Sequence, residues 1–154
     1  MREFLEEGDV VVSEIKSVSF ADKSIGLHIR HEKFGKQGKG IVVSVSTCLL
    51  HRMKTQFYER GNIKMVFGLN GIIWLSPSSE EITVSVLGDL AKMRAIIILL
   101  DRIMVTITPE FLFEIMATTF EYTAKDLLLP TNYKNLELLI KNLLADRKKS
   151  QPKS

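Results

Sequence analysis

A run of basic residues in the first half of the chain is the feature most able to do chemistry. From Lys23 to Lys64 the sequence holds nine Lys or Arg and two acids, a local net charge of +7, against +3 for all 154 residues. The nine are Lys23, Arg30, Lys33, Lys36, Lys39, Arg52, Lys54, Arg60 and Lys64. Such a charge attracts polyanions and offers contacts to phosphates. The alternative is a solvated basic face without a ligand, and charge alone does not decide between the two.

Residues able to catalyse a reaction or to bind a metal are sparse. His28 and His31 have no Cys or third His beside them, and a metal site needs three or four converging ligands. If both lie in one strand, their rings point to opposite faces. Cys48 is expected to be a small buried apolar residue. Asp89 and Asp101 fall in a helical region, where capping and solvation explain them, and no phosphate loop or nucleophile elbow occurs.

Composition indicates one domain or two small ones with a real core, since 45% of the residues are hydrophobic. Cys48 is the only cysteine, so an intramolecular disulfide is impossible and a reducing compartment is expected. The N-terminus is acidic and has no apolar signal core. The longest apolar run, 95–100, is too short to span a bilayer. We therefore expect a soluble protein of the cytoplasm or nucleus.

The first half of the chain predicts strands. Apolar or β-branched runs cover residues 10–18, 25–29 and 41–45. Two further runs, 64–67 and 72–75, flank Gly68-Leu69-Asn70-Gly71. Asn-Gly between apolar runs is a strong hairpin signal, because both residues tolerate a positive φ. A Gly-x-x-Gly loop can also clamp a nucleotide backbone in KH domains, but there it lies between helices. The strand-like flanks favour the hairpin turn.

After Pro77 the pattern turns helical, so the fold class is predicted to be α+β. Asp89 is a candidate N-cap for a helix that extends to residue 103. Its apolar stripe consists of Leu90, Met93, Ile97, Leu100 and Met104. Thr108-Pro109-Glu110 predicts a second helix start, with a capping hydroxyl followed by Pro at the first position.

A last helix is predicted after the break at Pro130-Thr131-Asn132. Its stripe consists of Tyr133, Leu136, Leu139, Ile140, Leu143 and Leu144. The basic tail, 146–154, is expected to be frayed. The stripe and the 95–100 run exceed what a small strand layer needs to cover, so part of this apolar surface is expected to form an interface.

Three blocks of the sequence together resemble a known family. Residues 27–36, with Gly38 and Gly40 behind them, resemble the end of the OB-fold RNA-binding domain in an RNA exosome cap subunit. Residues 52–57 resemble the Arg-x-Lys-Thr-x-Phe segment of the same family, and residues 68–74 its Gly-x-Asn-Gly-x-Ile-Trp segment. The family is that of ribosomal RNA-processing protein 4, also called exosome component 2. The blocks keep its order and spacing, whereas the C-terminal helices resemble it only loosely.

The resemblance implies the C-terminal part of an OB-fold barrel followed by a divergent KH-like domain. The expected ranges are 1–36 for the partial OB fold, 37–148 for the KH-like domain and 149–154 for a basic tail. By comparison with the family, we expect an N-terminally truncated chain that begins inside the OB domain, which would leave strand edges unpaired.

The resemblance also implies a noncatalytic RNA-binding cap subunit, without cofactor or metal, in the nucleus (with the nucleolus) and the cytoplasm. Its expected partners are RNA, RNase PH-like ring subunits and other exosome cap subunits, with no membrane. The candidate phosphate contacts are Arg30, Lys33, Lys36, Lys39, Arg52 and Lys54. Phe34 and Phe57 could stack on bases, although packing is the favoured role for both. The motif residues, expected to be structural, are Gly68, Leu69, Asn70 and Gly71.

Two alternatives from other classes remain open. A free-standing single-stranded RNA-binding module would be monomeric and would lack a large exposed apolar patch. A small hydrolase would need a pocket with converging polar groups of perturbed pKa.

Overall fold

The computed structural model describes residues 5–31, 33–79 and 81–150, with side chains up to residue 147. The chain divides into two compact units, Met1–Gly40 and Ile41–Ser154. Helices and strands are both well represented, in agreement with the predicted α+β class.

In its described residues, the N-terminal unit contains two pairs of antiparallel strands. β1 (Val11–Val12) pairs with β4 (Gly35–Lys36), and β2 (Glu14–Ser19) pairs with β3 (Ser24–His28). The predicted strands over 10–18 and 25–29 are therefore confirmed, apart from a break between β1 and β2. None of the described apolar side chains of this unit is buried.

The C-terminal unit is built on a four-stranded antiparallel sheet in the order β5-β8-β7-β6. The strands are β5 (Ile41–Ser44), β6 (Phe57–Arg60), β7 (Ile63–Phe67) and β8 (Ile72–Pro77). β7 and β8 form the predicted hairpin, with Phe67 opposite Ile73. β6 was not predicted. It reaches β7 through a tight turn at Gly61 and Asn62, and Gly61 has a φ of +60°.

In the described residues after the sheet, the α-helices are α1 (Val84–Arg102), α2 (Pro109–Thr118), the short α3 (Ala124–Leu128) and α4 (Tyr133–Ser150). The predicted start of α1 at Asp89 is wrong. Thr83 is the N-cap, and its hydroxyl accepts the Val86 N–H at 3.5 Å. The cap at Thr108 is confirmed, since its hydroxyl accepts the Phe111 N–H at 3.4 Å.

The core lies between one face of the sheet and the helices. Side chains of β5, β7 and β8, such as Val43, Met65 and Leu75, are buried together with Leu90 and Ile97 of α1. Because α1 also packs against α2 and α3, it is apolar on several sides.

Three predictions about the helical half need correction. Most of the 95–100 run is buried inside this unit, so it does not argue for an interface. Met104, assigned to the stripe of α1, lies beyond the helix end with a φ of +55° and is 63% exposed. The tail predicted to be frayed from residue 146 continues α4 to Ser150, and residues 151–154 lie outside the described part.

Candidate nucleic-acid interface

The segment that carries Arg52 and Lys54 lies at one end of the four-stranded sheet. It connects a short 3-10 helix, Thr47–Leu49, to β6. The Phe67 N–H donates to the Gln56 carbonyl at 2.9 Å, which places the end of this segment beside the hairpin turn. Both basic side chains are exposed. The segment 51–56 is called the basic loop below.

The turn Gly68-Leu69-Asn70-Gly71 is held at the same end of the sheet. On its other side, the Val45 N–H donates to the Gly71 carbonyl at 2.8 Å. The structure therefore brings two of the sequence blocks, the Arg-x-Lys segment and the Gly-x-Asn-Gly segment, to the same end of one sheet. Sequence spacing alone did not predict this proximity.

Backbone geometry accounts for the two glycines of this turn. Gly71 has a φ of +86°, and a Cβ there would overlap the Val45 carbonyl oxygen. A Cβ on Gly68 would overlap the Asn70 side chain. Both positions therefore exclude larger residues for reasons that involve no ligand.

Asn70 and Gly71 were both expected to tolerate a positive φ, but of the two only Gly71 adopts one. Among the described residues other than glycine, only Lys23 and Met104 have a positive φ. Asn70 contributes through its side chain, whose Oδ1 accepts the Ile72 N–H at 3.2 Å. This contact closes a local turn and leaves Leu69 at the tip, 60% exposed.

Asp101, near the end of α1, is a residue that sequence reasoning misjudged. It was assigned to capping or solvation, but its Oδ1 accepts the Ser46 N–H at 2.8 Å, a contact between residues 55 apart in sequence. The Ile107 N–H donates to the Leu49 carbonyl at 2.9 Å. The chain that leads into the basic loop is thus tied to α1 and to the α1–α2 connection.

The other four candidate phosphate contacts lie in the N-terminal unit. Arg30, Lys33, Lys36 and Lys39 are all exposed. Lys36 already has a partner, since its Nζ lies 2.7 Å from Asp9 Oδ2. The Glu6 backbone N–H and then Lys36 lower the pKa of the Asp9 carboxyl below its usual value.

Two cations that contribute to the basic run are engaged inside the C-terminal unit. The Arg60 guanidinium lies 5.3 Å from the centre of the Phe113 ring, within cation–π range. Lys64 Nζ lies 3.9 Å from Glu59 Oε1. Phe34 and Phe57, the two candidate stacking residues, are each half-buried. The nine cations counted in the sequence therefore overstate the number available to a ligand.

The residues considered for metal binding and catalysis do not come together. β3 ends at His28, so His31 lies outside that strand, and both side chains are exposed. Cys48 is exposed, which contradicts the expectation that it is buried. No three His, Cys, Asp or Glu side chains among the described residues are placed to hold a metal ion. Within the same residues, no helix is both long and apolar enough to cross a membrane.

Comparison with known proteins finds relatives that are named as exosome components. No protein-family model matches the chain. Exosome complex component RRP4 of Mus musculus is 42% identical over 82 residues, which are 53% of this chain and 28% of that protein. The Saccharomyces cerevisiae protein of the same name is 42% identical over 81 residues, which are 52% of this chain and 22% of that protein. Exosome complex component Rrp4 of Pyrobaculum aerophilum is 32% identical over 111 residues, which are 65% of this chain and 47% of that protein. The chain thus spans less than half the length of each of these relatives.

Proposed function

We propose that this chain acts as a noncatalytic RNA-binding subunit of the RNA exosome cap, because about half of it is similar to Rrp4 exosome components. The resemblance predicted from three sequence blocks is confirmed by these matches. In this role the protein helps to bind RNA and to thread it toward a nuclease elsewhere in the complex, in RNA processing and degradation.

The finer fold assignment is part of this proposal. We assign residues 1–36 to part of an OB-fold domain, residues 37–148 to a KH-like domain and residues 149–154 to a basic tail. Short antiparallel strand pairs in the N-terminal unit support the first assignment. A small antiparallel sheet that packs on helices supports the second.

One observation carries the proposed RNA contact. Two exposed cations, Arg52 and Lys54, lie on a loop that backbone hydrogen bonds place beside the hairpin turn. Because this loop is anchored to the sheet, its cations lose less freedom on binding phosphate than they would on an unanchored chain. We propose Arg30, Lys33, Lys36 and Lys39 as additional phosphate contacts, with Lys36 the weakest because it is paired with Asp9.

Salt dependence of RNA affinity tests the RNA contact. Each phosphate contact on a single strand contributes about 0.7 to the slope of log affinity against log salt, so engagement of about four of the six proposed residues gives a slope near −3. Replacing Arg52 and Lys54 together by Ala should therefore flatten the slope by about 1.4. The matched control replaces Lys125 and Lys134, two exposed lysines on the helices, and removes the same charge elsewhere. An equal flattening of the slope in both variants would show that net charge alone causes it and would contradict a specific contact through Arg52 and Lys54.

Purification from cells tests the assembly. We expect the tagged protein to co-purify with RNase PH-like ring subunits and other exosome cap subunits, in the nucleus, nucleolus and cytoplasm. We also expect the purified chain to leave RNA uncut, with or without divalent metal. RNA binding without any exosome subunit would identify a free-standing RNA-binding module. Metal-dependent RNA cleavage that disappears when one carboxylate of this chain is replaced would identify a hydrolase.

A further inference from the structure

The location of Asp101 on its helix is unfavourable for the helix itself. α1 ends at Arg102, so the Asp101 carboxylate lies in the last turn, where the helix dipole already carries partial negative charge. An acid at that end destabilises a helix by a small amount. Its role is therefore to be sought in what the carboxylate contacts.

The carboxylate contacts the start of the segment that leads to the basic loop. Asp101 Oδ1 accepts the Ser46 N–H at 2.8 Å, and Ser46 is the N-cap of the 3-10 helix Thr47–Leu49. The Ser46 side chain makes no capping hydrogen bond to that helix. A hydrogen bond to an ionised acceptor is stronger than one between neutral groups. Asp101 thus accepts the N–H of the N-cap residue, as the acid of a capping box does from within a helix.

Two neighbouring backbone hydrogen bonds hold the same segment together with the Asp101 bond. The residue before Ser46, Val45, donates to the carbonyl of Gly71 in the hairpin turn. At the other end of the 3-10 helix, the Leu49 carbonyl accepts the Ile107 N–H. Residues 45–49 are thus fixed to the hairpin turn, to α1 and to the α1–α2 connection. The basic loop begins two residues later.

We propose that Asp101 is a positioning residue for RNA binding, which holds residues 45–49 so that the basic loop presents Arg52 and Lys54 to successive phosphates. The inference rests on the proposed function. The acceptor oxygen of Asp101 holds the segment before the basic loop, whereas its negative charge repels RNA. The oxygen and the charge can be separated experimentally.

Two substitutions of Asp101 make this separation. Asp101→Asn removes the charge and keeps an oxygen that can accept the Ser46 N–H, whereas Asp101→Ala removes both. Asp89→Ala is the control, since it removes a carboxylate from the same helix without touching Ser46. The measurements are affinity for a short single-stranded RNA over a salt series, and hydrogen exchange of the Ser46 amide.

We expect Asp101→Asn to bind RNA nearly as well as the unaltered protein, because its neutral hydrogen bond to Ser46 is weaker while the loss of a negative charge favours RNA. We expect Asp101→Ala to bind about three- to tenfold more weakly, with a flatter salt slope and faster exchange at Ser46. All assays are made well below each variant's unfolding temperature. If Asp101→Ala does not fold, Asp101→Ser replaces it, because the shorter side chain cannot reach Ser46 and yet remains polar.

Three results would overturn the proposal. The first is equal binding by the Ala and Asn variants, and the second is unchanged Ser46 exchange in Asp101→Ala. The third is unaltered binding after replacement of Arg52 and Lys54, which would refute the RNA contact itself. If that double variant weakens binding and Asp101→Ala does not, the positioning role fails while the proposed RNA contact stands.

Discussion

Replacing Gly71 by Ala should destabilise the C-terminal unit strongly, through the backbone alone. The φ of +86° lies in the left-handed region, where a side chain costs about 1–2 kcal/mol. The added Cβ would also overlap the Val45 carbonyl oxygen, a backbone atom held in place at the sheet end by the neighbouring Val45 N–H bond to Gly71. Since that atom cannot rotate away, the total loss should reach about 2–4 kcal/mol.

Ala variants of two other glycines in the same unit distinguish the cost of backbone strain from the cost of steric overlap. Gly61 has a φ of +60°, but a Cβ there meets nothing within 4 Å, so Gly61→Ala should lose only the strain, about 1 kcal/mol. Gly88 lies in α1 without a positive φ, and a Cβ added to it would also meet nothing within 4 Å. Gly88→Ala should therefore stabilise the protein by about 0.5–1 kcal/mol, because Ala favours the helix.

Urea unfolding of the three variants measures this series. A change in midpoint at constant slope reports a change in the free energy of unfolding. From most to least stable, the expected order is Gly88→Ala, unaltered protein, Gly61→Ala and Gly71→Ala. If Gly71→Ala loses no more than Gly61→Ala, the overlap with Val45 is refuted. If Gly71→Ala abolishes RNA binding with unchanged stability, the turn is a nucleotide clamp and not a structural element.

The remaining predictions concern helix caps. Thr108→Ala should lower the free energy of unfolding by about 0.5–1 kcal/mol, whereas Thr108→Ser should retain most of it, because the hydroxyl accepts the Phe111 N–H; thermal unfolding compares the two. Hydrogen bonds from the Thr123 hydroxyl and backbone lower the pKa of Asp126 below its usual value of 3.8. Its contribution to stability is therefore present above that value and is lost as the pH falls through the lower pKa of the folded state. The stability difference between Asp126→Ala and the unaltered protein should shrink under acidic conditions, and a difference independent of pH would contradict this assignment.

Elements with a complete local signal were predicted well. The hairpin β7–β8 has a turn dipeptide between two apolar runs, and α2 has its capping hydroxyl and proline in consecutive positions. The hairpin β6–β7 carries a similar signal at Gly61 and Asn62, which was overlooked. In each case the residues that determine the structure are neighbours in sequence.

The start of α1 was not predictable in this way. Its first residues include Val84, Val86 and, after Leu87, Gly88, all of which have low helix propensity. Tertiary packing decides the outcome, because Val86 is buried at 5% exposure in the core of the C-terminal unit. Asp89 is polar and is followed by apolar residues at helical spacing, so its local signal for a helix start was stronger than that of Thr83. The helix nevertheless begins after Thr83.

The candidate interface was predictable in its residue types but not in its geometry. Charge counting included Arg52 and Lys54, yet it gave the same weight to Arg60 and Lys64, which contact Phe113 and Glu59. Such contacts depend on which faces of the strands and helices pack together, and the periodicity of the sequence does not indicate this. The same holds for Asp101, whose bond to Ser46 requires the sheet and α1 to be assembled first. Because the anchor forms only with the tertiary fold, loosening α1 at its C-terminal end should weaken RNA binding at a loop that is remote in sequence.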